Sequence, residues 1–96
     1  MQIRQDESFK RNLQAVLKHI SMDSKAKASR FNKQLSTKIG ELPTMPYKFR
    51  TSYYYEDEAN RDLVFKGYTI PYLVDMDNEV IVVLDIFKWN YRKIIS

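Results

Sequence analysis

Cysteine is absent from the 96 residues, and histidine and tryptophan occur once each. Without thiols no disulfide, thiolate zinc centre or cysteine nucleophile is available, and a reducing compartment is permitted. A single histidine, His19, leaves no transition-metal constellation, and Glu56, Asp57 and Glu58 lack the alternating spacing of a calcium loop, so no metal and no cofactor is expected. Glycine (two) and proline (three) are scarce, which argues against disordered or low-complexity tracts. No apolar run approaches the ~18 residues of a membrane span, and the opening MQIRQDESFKRN is charged where a secretory leader needs an apolar stretch. A cytoplasmic protein without a membrane partner is expected.

What is present is an ordinary globular mixture at the size of one domain, so residues 1–96 are read as a single unit with one core. Its formal charge of +4 is unevenly placed. Residues 1–50 hold eleven Lys and Arg against four Asp and Glu, a net +7, whereas residues 51–96 hold five against eight, a net −3. A polyanion or an acidic protein would be drawn to the basic half.

Ile3 centres a short run, Met1 to Gln5, that suits an edge strand. Phe9, Leu13, Val16, Leu17 and Ile20 then fall on one face of a helix that Ser8 or Asp6 can cap and that is expected to end near Ile20. Ser21, Met22 and Asp23 form a break. A second helix follows through Ala28, Phe31, Leu35, Ile39 and Leu42, with Gly40 as a stop. So short a link predicts an antiparallel helical hairpin. Pro43 and Pro46 end the helical pattern, and Tyr47 to Asn60 reads as a polar, tyrosine-rich loop. Strands are predicted over residues 62–66, 68–75 and 79–87, joined by hairpin-length turns at Gly67 and at residues 76–78. Pro71 lies inside the middle run, where a missing donor marks an edge or a bulge. The last run is apolar on both faces, as for a strand covered by helices on one side and by a loop or a partner on the other. The fold class is therefore α+β: an N-terminal short strand, then an antiparallel helical hairpin packed on a small antiparallel sheet of three to four strands.

The text from Asn60-Arg61-Asp62 through Gly67-Tyr68-Thr69 to Asp75, followed by Val82-Val83-Leu84-Asp85-Ile86-Phe87-Lys88, resembles the RelE/ParE toxin superfamily. There an arginine–acid pair opens a strand, a Gly-Tyr turn leads into an apolar strand, and a final apolar strand follows. Phe9, Leu13 and Leu17 in the first helix, and Leu42-Pro43 followed by Tyr47 and Arg50, fit the same order. The resemblance implies the toxin of a type II toxin–antitoxin module, neutralised in a hetero-oligomer with a cognate antitoxin. It also implies one of two activities: ribosome-dependent cleavage of messenger RNA, or inhibition of DNA gyrase without hydrolysis.

Cleavage through a ribose 2′-hydroxyl needs a base, a cation for the in-flight phosphate and an acid for the leaving oxygen. The residues available are Lys48, Arg50, Arg61, Lys66, Lys88 and Arg92, with Tyr91 as acid or stacking group. Each also has a plainer role, such as an ion pair between Arg61 and its neighbour Asp62. Nuclease members commonly place arginine after the Gly-Tyr pair, where this chain has Thr69, and His19 falls among the polar positions of the first helix. These departures favour the gyrase-directed branch over the ribonuclease, with a non-toxic protein-binding relative as a further alternative. Asp85, an acid inside an apolar run, needs Arg61, an antitoxin arginine or solvent as partner. Together with Phe87, Lys88, Trp89, Asn90 and Tyr91 it forms the expected partner-binding segment. Tyr47, Phe49, Tyr53, Tyr54 and Tyr55 are read either as a stacking surface for single-stranded RNA or as packing over one face of the sheet.

Overall fold

The computed structural model describes residues 1–88; the expectations placed on Trp89, Asn90, Tyr91 and Arg92 lie outside the described residues. Its elements are strand β1 (Gln2–Gln5), helices α1 (Glu7–Asp23) and α2 (Lys25–Gly40), a turn of 3-10 helix (Leu42–Thr44), and strands β2 (Asn60–Phe65), β3 (Tyr68–Asp75), β4 (Val80–Val83) and β5 (Phe87–Lys88).

Asp6 caps α1, its Oδ2 accepting from the Ser8 amide at 3.0 Å. The helix does not stop near Ile20. Ser21 turns its hydroxyl back to the Lys18 carbonyl at 2.7 Å, a bond compatible with helical backbone, and the helix runs on to Asp23. Ser24 alone makes the break. Its N–H closes α1 on the Ile20 carbonyl while its hydroxyl accepts from the Lys27 amide at 3.2 Å and starts α2. With one residue in extended geometry between them, the helices fold into the expected hairpin.

The sheet order is β1-β4-β3-β2, with β2, β3 and β4 an antiparallel meander. The sheet is mixed rather than wholly antiparallel, because β1 pairs parallel with β4, Ile3 opposite Ile81. Lys66 and Gly67 form the two-residue β2–β3 turn, both with positive φ (49° and 83°), the geometry that matches the twist of a tight hairpin.

The run expected as one strand from Glu79 to Phe87 is broken at Leu84–Ile86. Val83 faces Tyr72 while Phe87 faces Thr69, so the interval holds three steps on β3 and four opposite it, one extra residue. Pro71 explains the place. Its carbonyl accepts from Leu84 at 2.9 Å, so its ring nitrogen, which has no hydrogen to donate, faces the same side, and the bulge forms where the ladder lacks a donor.

Alternation along β3 sends Tyr68, Ile70, Tyr72 and Val74 to the helical face, joined by Leu63 and Phe65 from β2 and Ile81 and Val83 from β4. Phe9, Phe31, Leu35, Ile39 and Leu42 close this core from above. Phe31 packs between Phe65 and Tyr68, ring centroids 5.3 and 5.5 Å away. The opposite face carries Asp62, Thr69 and Pro71, all buried, and the loop crosses it, with Tyr54 edge-on to Phe87 at 5.0 Å.

Candidate functional site

The cationic and aromatic residues singled out in the sequence separate into two groups at opposite ends of β2. The first fastens the loop. Arg61 donates through Nε to the Glu58 carbonyl at 3.0 Å and through Nη1 to the carbonyls of Phe49 (3.0 Å) and Tyr47 (3.3 Å), and its guanidinium lies 4.9 Å over the Tyr47 ring. It does not pair with Asp62, because neighbours on a strand point to opposite faces. Arg50 takes that place, with Nη2 3.7 Å from Asp62 Oδ2 and its guanidinium 3.8 Å over Tyr53. Asp62 also accepts from the Tyr53 amide at 3.2 Å. The Asp62 side chain is wholly buried, and Asp62 Oδ1 and Arg50 Nη1 find no partner among the described residues. Tyr72 completes the fastening by donating its hydroxyl to the Pro46 carbonyl at 2.7 Å. Burial pushes the Tyr72 phenol up to about 12, against the opposing pull of the Arg61 charge.

The second group sits at the β2–β3 turn. Lys66 Nζ donates to Gln34 Oε1 of α2 at 2.6 Å and lies 5.5 Å over the Phe65 ring. Lys88 faces Tyr68 in the ladder, with its Nζ 4.8 Å over that ring. Tyr54 and Phe87 lie on the other face of this sheet end. Arg61 and Lys66 stand five residues apart along β2, roughly 16 Å at the rise of a strand. Arg61 is turned to the loop and Lys66 to α2, so the two head groups face different partners.

Thr69 is wholly buried beside the bulge, its hydroxyl without a partner among the described residues. His19 is exposed on α1, away from both groups. Lys48 is exposed, its ammonium 5.6 Å over the Phe49 ring. Asp85 is buried and does not reach Arg61; its Oδ1 accepts from Asn12 Nδ2 at 2.6 Å and from the Ile86 amide at 2.8 Å. Of the expected RNA-stacking aromatics, Phe49 and Tyr54 are packed and Tyr47 and Tyr53 lie under guanidinium groups, while Tyr53 keeps three-quarters of its surface exposed. Packing thus accounts for Phe49 and Tyr54, whereas Tyr47, Tyr53 and Tyr55 remain exposed.

The sequence reading missed Asn12, Gln34 and Tyr72. Asn12 follows Phe9 by one helical turn and Gln34 precedes core Leu35, so both border apolar faces, and helical spacing alone could have placed them there. The Tyr72 hydroxyl carried no signal, since its acceptor is a loop carbonyl 26 residues away.

Comparison with known proteins agrees with this architecture. The family model described as ParE toxin of type II toxin-antitoxin system, parDE, matches residues 3–88. None of the curated proteins matches. Among solved structures, a chain of the chromosomal ParDE TA system from P. aeruginosa superposes with a TM-score of 0.75 at 18% identity, covering 92% of this chain and 95% of that one.

Proposed function

This chain belongs to the ParE toxin family of type II toxin–antitoxin systems, and from that membership we propose that residues 1–96 act as a single toxin domain in the cytoplasm, directed at DNA gyrase without hydrolysing a substrate and neutralised by a cognate antitoxin. The observation that carries this reading over messenger RNA cleavage is the commitment of Arg61. Its Nε and Nη1 donors are held by the carbonyls of Tyr47, Phe49 and Glu58 in the loop, while Lys66 at the other end of β2 turns its ammonium to Gln34 of α2, so the two cations are not aimed at one scissile phosphate. Thr69 adds support, because a wholly buried position offers no cation to a phosphate. No described helix is long and apolar enough to cross a membrane.

Of the segment read as partner-binding, Phe87 and Lys88 lie at the sheet end where the loop meets β5, whereas Asp85 is buried and held by Asn12 and the Ile86 amide. Induced expression tests the target: loss of DNA supercoiling with an SOS response, and intact messenger RNA in a translating extract, is the expected outcome. Codon-specific cleavage with normal gyrase activity would reverse the assignment and make Lys66, Lys88 and the tail the nuclease candidates.

A further inference from the structure

The solvent-facing groove between α1 and α2 has a chemistry that neither the sheet nor the loop shares. Gln14, Lys18 and Ser21 form one wall, Ser29 and Asn32 the other, over a floor of Leu17 and Ala28. The polar groups are amides, hydroxyls and an ammonium, and among the described residues no carboxylate lines the groove. Helical spacing continues both walls with cations. Arg11 stands two turns before Lys18, and Lys25 and Lys33 stand one turn either side of Ser29, all of them exposed. The hairpin's own acids are elsewhere: Glu7 lies 3.5 Å from Lys10, Asp23 lies 3.2 Å from Lys27, and Glu41 caps the far end of α2. Arg11, Lys18, Lys25 and Lys33 form no ion pair among the described residues.

We propose that this groove binds the phosphodiester backbone of double-stranded DNA without reading base sequence. Lysine, arginine, serine, asparagine and glutamine are the side chains that donate to phosphate oxygens. A protein partner would need apolar anchors, and Met22 is the one large apolar side chain exposed on the two helices. A single strand would need aromatic rings on which bases stack, and both hairpin rings, Phe9 and Phe31, are buried in the core. A duplex backbone needs neither. The choice of DNA over duplex RNA rests on the gyrase-directed reading, which brings the chain beside DNA.

Fluorescence anisotropy of a short labelled DNA duplex, titrated with the purified chain in the absence of gyrase, tests the groove. Four phosphate contacts give a log K against log salt slope of about −3.6, hence affinity falling roughly 100-fold between about 50 and 200 mM salt. The double variant Lys18→Gln/Lys33→Gln reduces the slope by about 2, whereas Lys38→Gln/Lys48→Gln, in the separate cavity where the end of α2 meets the loop, leaves it unchanged. Absence of saturable binding, equal losses in the two double variants, or binding of single-stranded or duplex RNA as tight as that of DNA would each overturn the proposal. Normal gyrase activity with salt-dependent DNA binding would overturn the target reading and support the groove; gyrase inhibition without DNA binding would overturn the groove alone.

Discussion

Replacement of Arg61 by alanine separates a loop fastener from a catalytic cation. Arg61 is half-buried, and its hydrogen bonds to Glu58 and Tyr47 are exposed while that to Phe49 is partly buried. Counting about 0.5 kcal/mol for each exposed bond, about 1 for the shielded one and about 0.5 for the stack on Tyr47, the loss is about 2–3 kcal/mol. In a domain of this size each kcal/mol lowers Tm by about 4–8 °C, so Arg61→Ala is expected to melt roughly 10–20 °C below the parent in a calorimetric or circular-dichroism scan. Arg61→Lys keeps the charge, but one ammonium cannot span three carbonyls and a ring, and less than half of the loss is recovered. Melting of Arg61→Ala within about 2 °C of the parent, with activity abolished, would refute the fastening role and restore Arg61 as a reacting group.

At the β2–β3 turn, where φ of Gly67 is +83° and no atom would meet an added Cβ, Gly67→Ala is expected to cost about 1–2 kcal/mol in urea unfolding from backbone strain alone. Gly67→Asn should cost less, since asparagine tolerates this region. The Tyr72 phenol, raised from its ordinary 10.0 to about 12, favours the fold while neutral. That stability is fully present below pH 10 and is lost as pH rises toward 12, so the stability gap between parent and Tyr72→Phe narrows across this window, by up to ~2.7 kcal/mol. Asn12→Ala removes the 2.6 Å donor from buried Asp85, which keeps the Ile86 amide, and should cost about 0.5–1.5 kcal/mol by the same unfolding assay. Asn12→Asp, which sets a second carboxylate against the first, should cost more, and a milder effect than alanine would show that Asp85 does not depend on that donor.

Most of the fold was legible because it rests on period. The 3.6-residue spacing of Phe9, Leu13 and Leu17 and of Phe31, Leu35 and Ile39, and the alternation along β3, each mark the face that is buried. The misplaced boundaries share one cause. Ser21 and Ser24 look alike in sequence, yet one hydroxyl turns back into α1 and the other caps α2, and only the three-dimensional path decides which. Pro71 marked an edge or a bulge, but the sequence could not say which, nor which strand would hold the extra residue. The site was less legible still. Arg61 and Asp62 read as a pair because they adjoin, whereas the partner of Asp62 is Arg50, twelve positions away across the loop. Non-local pairing of this kind leaves no periodic trace.

The fastening also decides how the sheet end can be probed. Tyr54 meets Phe87 from a loop held down by Arg61, by Tyr72, by the Arg50–Asp62 pair and by backbone bonds from Ser52 to Asn60 and from Asp62 to Arg50. Substituting any of these would disturb β5 and its neighbours as well as the residue itself, so loss of toxicity in such variants measures stability and site together. Lys66 and Lys88 differ. Both ammonium groups lie at the surface, and among the described residues only Lys66 of the two makes a polar bond, to exposed Gln34. Their removal forfeits a ring contact or one exposed bond, about 0.5–1 kcal/mol each. Lys66→Ala and Lys88→Ala are therefore expected to keep the fold, so any loss of activity in them reads directly on the target-facing chemistry of this end. If either variant melts more than about 8 °C below the parent, that separation fails and the sheet end is itself part of the fastening.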